Sequence, residues 1–302
     1  MNLDMITEDA IASHIYSIGG VLNTRKINNL SEIDFEKLPN PTFVCLTGVD
    51  FLLQDFFINY IKFFKNQIVM ITIETDFFTL YPKYINHYKI SKWYTWNKQY
   101  SHHRLTCIPI GLNNDRQNKS LTVWLKKNNL TTKILQNSVK SKLLCVNCSP
   151  HTNVIRKFIV EKAKNEWSSF CDFVKGVPPL CVYYRNCVGG DCINQRINIT
   201  MTNPDFYDCI KDYKFILSPP GAGEDCHRTW EALYLGCIPI VRSSNINELY
   251  EDLPIVVVES FDIISEQFLN MKYSEIAEKK LQNKYKYSKL YNKYWSDMIM
   301  KS

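Results

Sequence analysis

The sequence predicts an α/β protein built on parallel sheets, one in each half of the chain. Short apolar runs alternate with segments whose apolar residues recur at helical spacing, as strands and crossover helices do. Acidic and glycine residues collect just after those runs, at the strand ends where a parallel sheet gathers its ligands. The alternation stops in a polar stretch, Thr131 to Ser141, and then restarts. With 302 residues and 45% hydrophobic content, the chain can bury one large core or two ordinary ones. The expected domains are residues 1–137 and 138–302, with Thr131 to Ser141 as the linker.

Residues 1 to about 40 show no strong period and read as an irregular lead-in with one short helix. Thr42 to Leu46 is the first clear strand, Thr47 to Asp50 a turn, and Phe51 to Lys65 a helix. Gln67 to Ile73 is a buried strand that delivers Glu74 and Asp76 to its carboxyl end. Lys92 to Asn97 is a short strand and turn, and Leu105 to Ile110 another strand, closed by Gly111. His102 and His103 precede it; adjacent residues on a strand point apart, so they read as a loop rather than a metal pair. Ser120 to Asn129 is helical.

In the second half, Leu143 to Asn147 and Ser169 to Phe173 are strands, with a helix from Thr152 to Lys164 between them. Lys175 to Thr202 is an irregular, cysteine-bearing insertion, and Pro204 to Lys211 a short helix. After the strand Ile255 to Val258 come a helix near Asp262 to Asn270 and a Lys/Tyr-rich helix from Ser274 to the end.

The stretch from Lys214 to Val241 carries the chemistry. An apolar strand ends at Ser218-Pro219-Pro220, where the proline rings hold the backbone extended. Gly221 and Gly223 make a turn that lets a ligand approach the main chain. Asp225 is placed to cap a helix that Gly236 ends, and Cys237 to Val241 is the next strand. Asp225, His227, Arg228, Thr229 and Glu231 crowd the first turns of that helix, whose unpaired N–H groups favour an anion. Two readings stand for Arg228 and Glu231: ligand contacts, or an exposed pair at i and i+3. Arg156 likewise is either a solvated helix residue or a bidentate partner for phosphate.

The formal net charge is +6, modest for a chain of this length, and no long basic run tracks a nucleic-acid backbone. The aromatic residues, 13% of the chain, are spread at core spacing. Nucleic acid is therefore not an expected partner, and an anionic small molecule is. No apolar stretch matches a signal peptide or a membrane span, and the Met1 start points to a cytoplasmic protein. The eleven cysteines lie mostly within predicted strands and helices and read as reduced core residues. Cys145 and Cys148 have CxxC spacing without a second pair, and Cys181, Cys187 and Cys192 surround Gly189-Gly190. That cluster admits a metal, a disulfide or a plain loop.

The run SPPGAGEDCHRTWEALYLGCIPIV, with Leu253 to Val257 after it, resembles the donor-binding region of exostosin-like and xylosyltransferase-type glycosyltransferases. Weaker echoes lie in Lys142 to Asn147 with Asn153 and Arg156, and in Cys107 to Leu112. The resemblance implies the GT-B arrangement: two Rossmann-like domains with parallel sheets facing across a cleft, and a C-terminal helix. It implies a nucleotide-sugar donor, with a UDP-sugar such as UDP-xylose the first choice, in the C-terminal domain. A glycan or glycoprotein acceptor would bind the N-terminal one. It also implies an inverting transfer without a metal or other cofactor. Carried onto this chain, Glu231 would accept from the ribose hydroxyls. Arg228 would hold the diphosphate, helped by Arg156, Ser218, Thr229 and the Gly221 and Gly223 backbone. Asp225 would touch the donor or only cap the helix; His227 would face the sugar or fill the core.

Glycosyl transfer needs charge stabilisation on the departing diphosphate and a base for the acceptor hydroxyl. Asp50 is the first choice for the base, with Glu74 and then Asp76 as alternates, all on the carboxyl edge of the first sheet; Asp50 as a plain helix cap is the competing view. A non-catalytic nucleotide- or glycan-binding protein of the same fold is the alternative to a transferase. The glycine turn lacks the Gly-Lys-Ser/Thr of a P-loop, which argues against an NTPase.

Overall fold

A computed structural model describes residues 5–7, 10–18, 20–23, 32–47, 50–74, 76, 81–112, 121–174 and 205–302. Two five-stranded sheets, every pairing parallel, organise it. This is an α/β protein with the look of two Rossmann-like domains. The insertion from Lys175 to Thr202, with Cys181, Cys187 and Cys192, lies outside the described residues.

In the first half the chain runs through α1 (Ala10–Ser17), β1 (Val21–Asn23), β2 (Thr42–Thr47) and α2 (Asp50–Asp55). Then come β3 (Ile68–Ile73), α3 (Tyr81–Tyr84), β4 (Ile90–Thr95), β5 (Leu105–Cys107), α4 (Leu121–Lys127) and α5 (Thr132–Gln136). The sheet order is simply β1-β2-β3-β4-β5. Every residue of β2 and β3 is buried, because helices cover both faces of such a sheet and its strands read as continuous apolar runs.

The second half holds β6 (Lys142–Val146), α6 (Val154–Lys164), β7 (Cys171–Phe173), α7 (Asp205–Ile210) and β8 (Tyr213–Leu217). After these come α8 (His227–Tyr234), β9 (Ile238–Arg242), β10 (Val256–Val258), α9 (Glu266–Leu281) and α10 (Asn292–Met300). The order β10-β9-β8-β6-β7 reverses between β6 and β8. In open α/β sheets the crevice outside the carboxyl ends at such a reversal is where ligands bind.

Four expectations need correction. The N-terminal lead-in contributes an edge strand, β1, too short to show an alternation. Helix α5 stands in the expected linker, capped by Thr131, whose side chain accepts from the Ile134 N–H at 3.2 Å. Only Thr132 and Leu135 of it are buried, too few to reveal a period. The expected helix from Phe51 changes its winding, from α2 to a π-turn (Phe56–Tyr60) and a 3-10 turn (Ile61–Phe63). The C-terminal region is not one helix from Ser274: α9 starts at Glu266, capped by Ser265, and ends at Leu281. After a break, α10 packs on α1 at the opposite end of the chain.

The two halves share a core. One buried cluster joins Ile6, Ile15 and Ile110 of the first half to Trp230, Tyr234 and Trp295 of the second. Each sheet's other face has a cluster of its own. Among the described residues no helix is long and apolar enough to cross a membrane.

Candidate functional site

The turn after β8 is assembled by side chains from α6. Arg156 donates from Nε to the Pro220 carbonyl at 2.8 Å and from Nη2 to the Pro219 carbonyl at 3.0 Å. Its Nη1 reaches Thr152 Oγ1 at 2.8 Å. Asn153 caps α6 through Oδ1 and donates from Nδ2 to the Gly221 carbonyl at 2.9 Å. Asn153 and Arg156 of the weaker sequence echo thus converge on the glycine turn.

A Cβ at either glycine would press on a side chain that holds the turn. A Cβ on Gly221 would lie 2.8 Å from Arg156 Nη2, and one on Gly223 would lie 2.3 Å from Asn97 Nδ2. The protein itself packs against these two backbones, and both glycines also line the cleft described below.

Asp225 is not the cap of α8. That helix starts at His227, with Cys226 at the cap position and no side-chain cap bond. The Asp225 carboxylate turns inward, 2% exposed. Oδ2 accepts from the Ile110 N–H at 2.9 Å, and both oxygens lie 3.0 Å from Trp230 Nε1. The Asp225 N–H donates to Asn97 Oδ1 at 2.6 Å. Burial pushes the carboxyl up to about 6, against the donors that favour its charged form. His227 works at the same seam: its Nδ1 lies 2.8 Å from the Gly111 carbonyl. A carbonyl only accepts, so Nδ1 carries the proton. Asp225 and His227 therefore bolt the second half to the first.

Arg228 and Glu231 are paired as their spacing allows, Nη1 to Oε2 at 2.6 Å, yet they are only 21% and 12% exposed. Arg228 Nη2 also donates to Asn147 Oδ1 at 2.8 Å, and the guanidinium stacks over Phe206. Glu231 Oε1 accepts from Tyr207 Oη at 2.9 Å. Burial and the Glu231 charge hold the Tyr207 hydroxyl well above its ordinary range. This network sits at the ends of β6 and β8, where the strand order reverses. Ser218 and Thr229, both buried, pair with each other through their hydroxyls at 2.8 Å and tie β8 to α8.

A cleft of about 370 Å³ lies between the two halves. Asp76 and the segment Asn97–Gln99, beyond β3 and β4, form one wall. The other wall is Asn153, Pro220–Glu224 and Arg242–Asn245, from the ends of β8 and β9. The carboxyl edges of both sheets thus meet at one opening. Of the three acidic candidates, Asp76 lines this cleft; Asp50 begins α2 and is not among its lining residues. Glu74, in a left-handed conformation at φ 59°, accepts from Thr47 Oγ1 at 2.8 Å and stands behind Asp76 in the chain. The His102-His103 pair sits before β5, at its amino end, the edge opposite the ligand side of the sheet.

Several site residues gave no sequence signal. Asn97, 2% exposed at φ 49°, lies in a segment that reads as an ordinary turn. Lys98, 4% exposed, pairs with Glu248 at 2.6 Å, and Glu248 Oε1 also accepts from the Cys107 N–H at 2.7 Å. Their pairing spans distant parts of the chain. Arg242 was detectable, as a charge ending an apolar strand that delivers its last residue to the ligand edge. No protein-family model matches the chain, and no curated protein matches it. The fold and the site geometry therefore carry the functional argument.

Proposed function

We propose that this protein is a glycosyltransferase that moves a sugar from a nucleotide-sugar donor to a hydroxyl of a glycan or glycoconjugate. The observation that carries the reading is the cleft where two parallel sheets present their carboxyl ends. A glycine turn and an arginine stand on one wall, and a carboxylate on the other. In the reaction the bond from the anomeric carbon to the diphosphate oxygen breaks and a bond to the acceptor oxygen forms. The nucleoside diphosphate leaves with the electron pair, and the acceptor proton passes to a base.

Asp76 is the base this geometry favours over Asp50, since a base must come within hydrogen-bond reach of the acceptor hydroxyl. The network of Tyr207, Glu231, Arg228 and Asn147 borders the reversal between β6 and β8, where the ribose of a donor is expected. Support for a UDP-sugar comes from the resemblance of the stretch around Gly221 to Val241.

The test is a thermal-shift screen of the purified chain against nucleotide sugars, with and without EDTA, followed by chromatography of the released nucleotide. A donor at a hundredfold excess over its dissociation constant adds about 2.7 kcal/mol of stability. At least one donor should raise the melting temperature and release nucleoside diphosphate in the presence of an acceptor. A full panel that neither binds nor turns over would end the proposal.

A further inference from the structure

Three arginines stand near the glycine turn, and two of them are already committed. Arg156 spends Nε and Nη2 on the Pro220 and Pro219 carbonyls and Nη1 on Thr152. Arg228 is neutralised by Glu231 and bonded to Asn147. These bonds use part of the five donors of each guanidinium, leaving Arg228 Nε buried without a partner, and the charge of Arg228 is already offset by Glu231. Lys98, the other cation in the cleft, is tied to Glu248 at 2.6 Å. Arg242 differs. It ends β9, is exposed into the cleft, and among the described residues its guanidinium makes no hydrogen bond or ion pair. Two residues on, Ser244 lines the same wall and its Oγ is buried without a partner. A buried hydroxyl left unpaired costs free energy that a ligand acceptor can return.

We propose that Arg242 and Ser244 form the seat for the diphosphate of the bound ligand, in place of the Arg156 and Arg228 pair that the resemblance implies. This rests on the nucleotide-sugar reading above. Asp76 and Glu224 also line the cleft, so Arg242 supplies the attraction that lets an anion enter. The planar guanidinium can give two parallel hydrogen bonds to phosphate oxygens, and the serine hydroxyl one more. Placing the anion on the β9 wall leaves Asp76 facing it across the opening. That polarity suits a reaction in which negative charge leaves on one side and a proton is taken on the other.

Isothermal titration with inorganic pyrophosphate and with UDP, on the wild-type chain, Arg242→Ala, Ser244→Ala and Arg228→Ala, tests the seat. Wild type should bind both ligands. Arg242→Ala should weaken both by roughly 10- to 100-fold, the worth of a charge-assisted contact, and Ser244→Ala by a smaller factor. Arg242 is exposed, so its variant should keep the wild-type circular dichroism. Unchanged pyrophosphate affinity in Arg242→Ala, or no pyrophosphate binding by wild type, overturns the seat. If pyrophosphate binds through Arg242 while no nucleotide sugar binds or turns over, the seat stands and the transferase reading falls. If nucleotide sugars turn over and Arg242→Ala leaves their affinity intact while Arg228→Ala abolishes it, the transferase stands and the seat falls.

Discussion

Replacing Asp225 by asparagine should leave the protein at least as stable as wild type at pH 7.5, although the residue is almost fully buried. In the folded protein burial raises this carboxyl from 3.8 to about 6. A raised acid favours the protonated form in the native state. Its contribution to stability is therefore present below about pH 4 and is lost as pH rises towards 6. At about 1.4 kcal/mol per pH unit, the ionised carboxylate costs about 3 kcal/mol above that window. Asparagine removes the charge and keeps an acceptor in the Oδ2 position, 2.9 Å from the Ile110 N–H and 3.0 Å from Trp230 Nε1. Its amide would then take the Oδ1 position, 3.5 Å from Tyr250 Oη and 3.0 Å from Trp230 Nε1, so the indole N–H keeps only the oxygen at the Oδ2 position as its acceptor.

Alanine does the opposite. It strands two buried donors, the Ile110 N–H and the Trp230 indole, at about 1–3 kcal/mol each. Urea unfolding at pH 5 and pH 7.5 measures both variants, with the midpoint reporting stability at constant slope. The difference between wild type and Asp225→Asn cancels the titration of all other groups. Between pH 5 and pH 7.5 the variant should gain about 1.4 kcal/mol relative to wild type, because roughly half of the full cost is already present at pH 5. An asparagine variant as unstable as the alanine one at pH 7.5, with no pH-dependent gain, would refute the assignment of Asp225 as a desolvated bolt.

Three further outcomes follow from the same geometry. Gly236→Ala should lower stability by about 1–3 kcal/mol in calorimetry: the residue sits at φ 74°, and its Cβ would lie 2.3 Å from the Leu135 carbonyl of α5. Tyr207→Phe should cost about 1.5–3 kcal/mol in urea unfolding, the value of a hydrogen bond to a charged group, because the ring remains and only the donor to Glu231 is lost. Asp76→Asn should lower kcat by about 10²–10⁴ while donor affinity, followed by titration, stays at the wild-type value. Equal rates in Asp76→Asn would return the role of base to Glu74 or Asp50.

Strand positions were legible because buried parallel strands are continuous apolar runs, and β2, β3, β6, β8, β9 and β10 all fall where such runs occur. Elements with few buried residues were not. Strand β1 has only three residues, and α5 commits two of its five to the core, so neither leaves a period to detect. At the site, residue types were a better guide than roles. Arg156 and Asn153 do converge on the turn after β8, but their partners are carbonyls and side chains of this chain. Asp225 has the residue type of a cap and stands one residue before the cap position, yet its carboxylate accepts from the Ile110 N–H and its own N–H donates to Asn97, both more than a hundred positions away. Local spacing carries no record of such a partner.

The glycine turn is held by residues of this chain. Its glycines leave room for Arg156 on one side and Asn97 on the other, and those two side chains fix the turn between the halves. Arg156 holds it from α6; Asn97, beyond β4, holds it from the first sheet. The turn is thereby rigid, and its remaining surface, Pro220 to Glu224, is presented to the cleft. A pre-formed wall of this kind spares the ligand the cost of ordering a loop on binding. The shared core and the Asp225 and His227 bonds extend that rigidity across the seam, so opening the cleft by rotating the halves would expose buried donors and apolar surface together. A ligand of this cleft would meet walls that are already set, with Arg242 on one of them and Asp76 on the other.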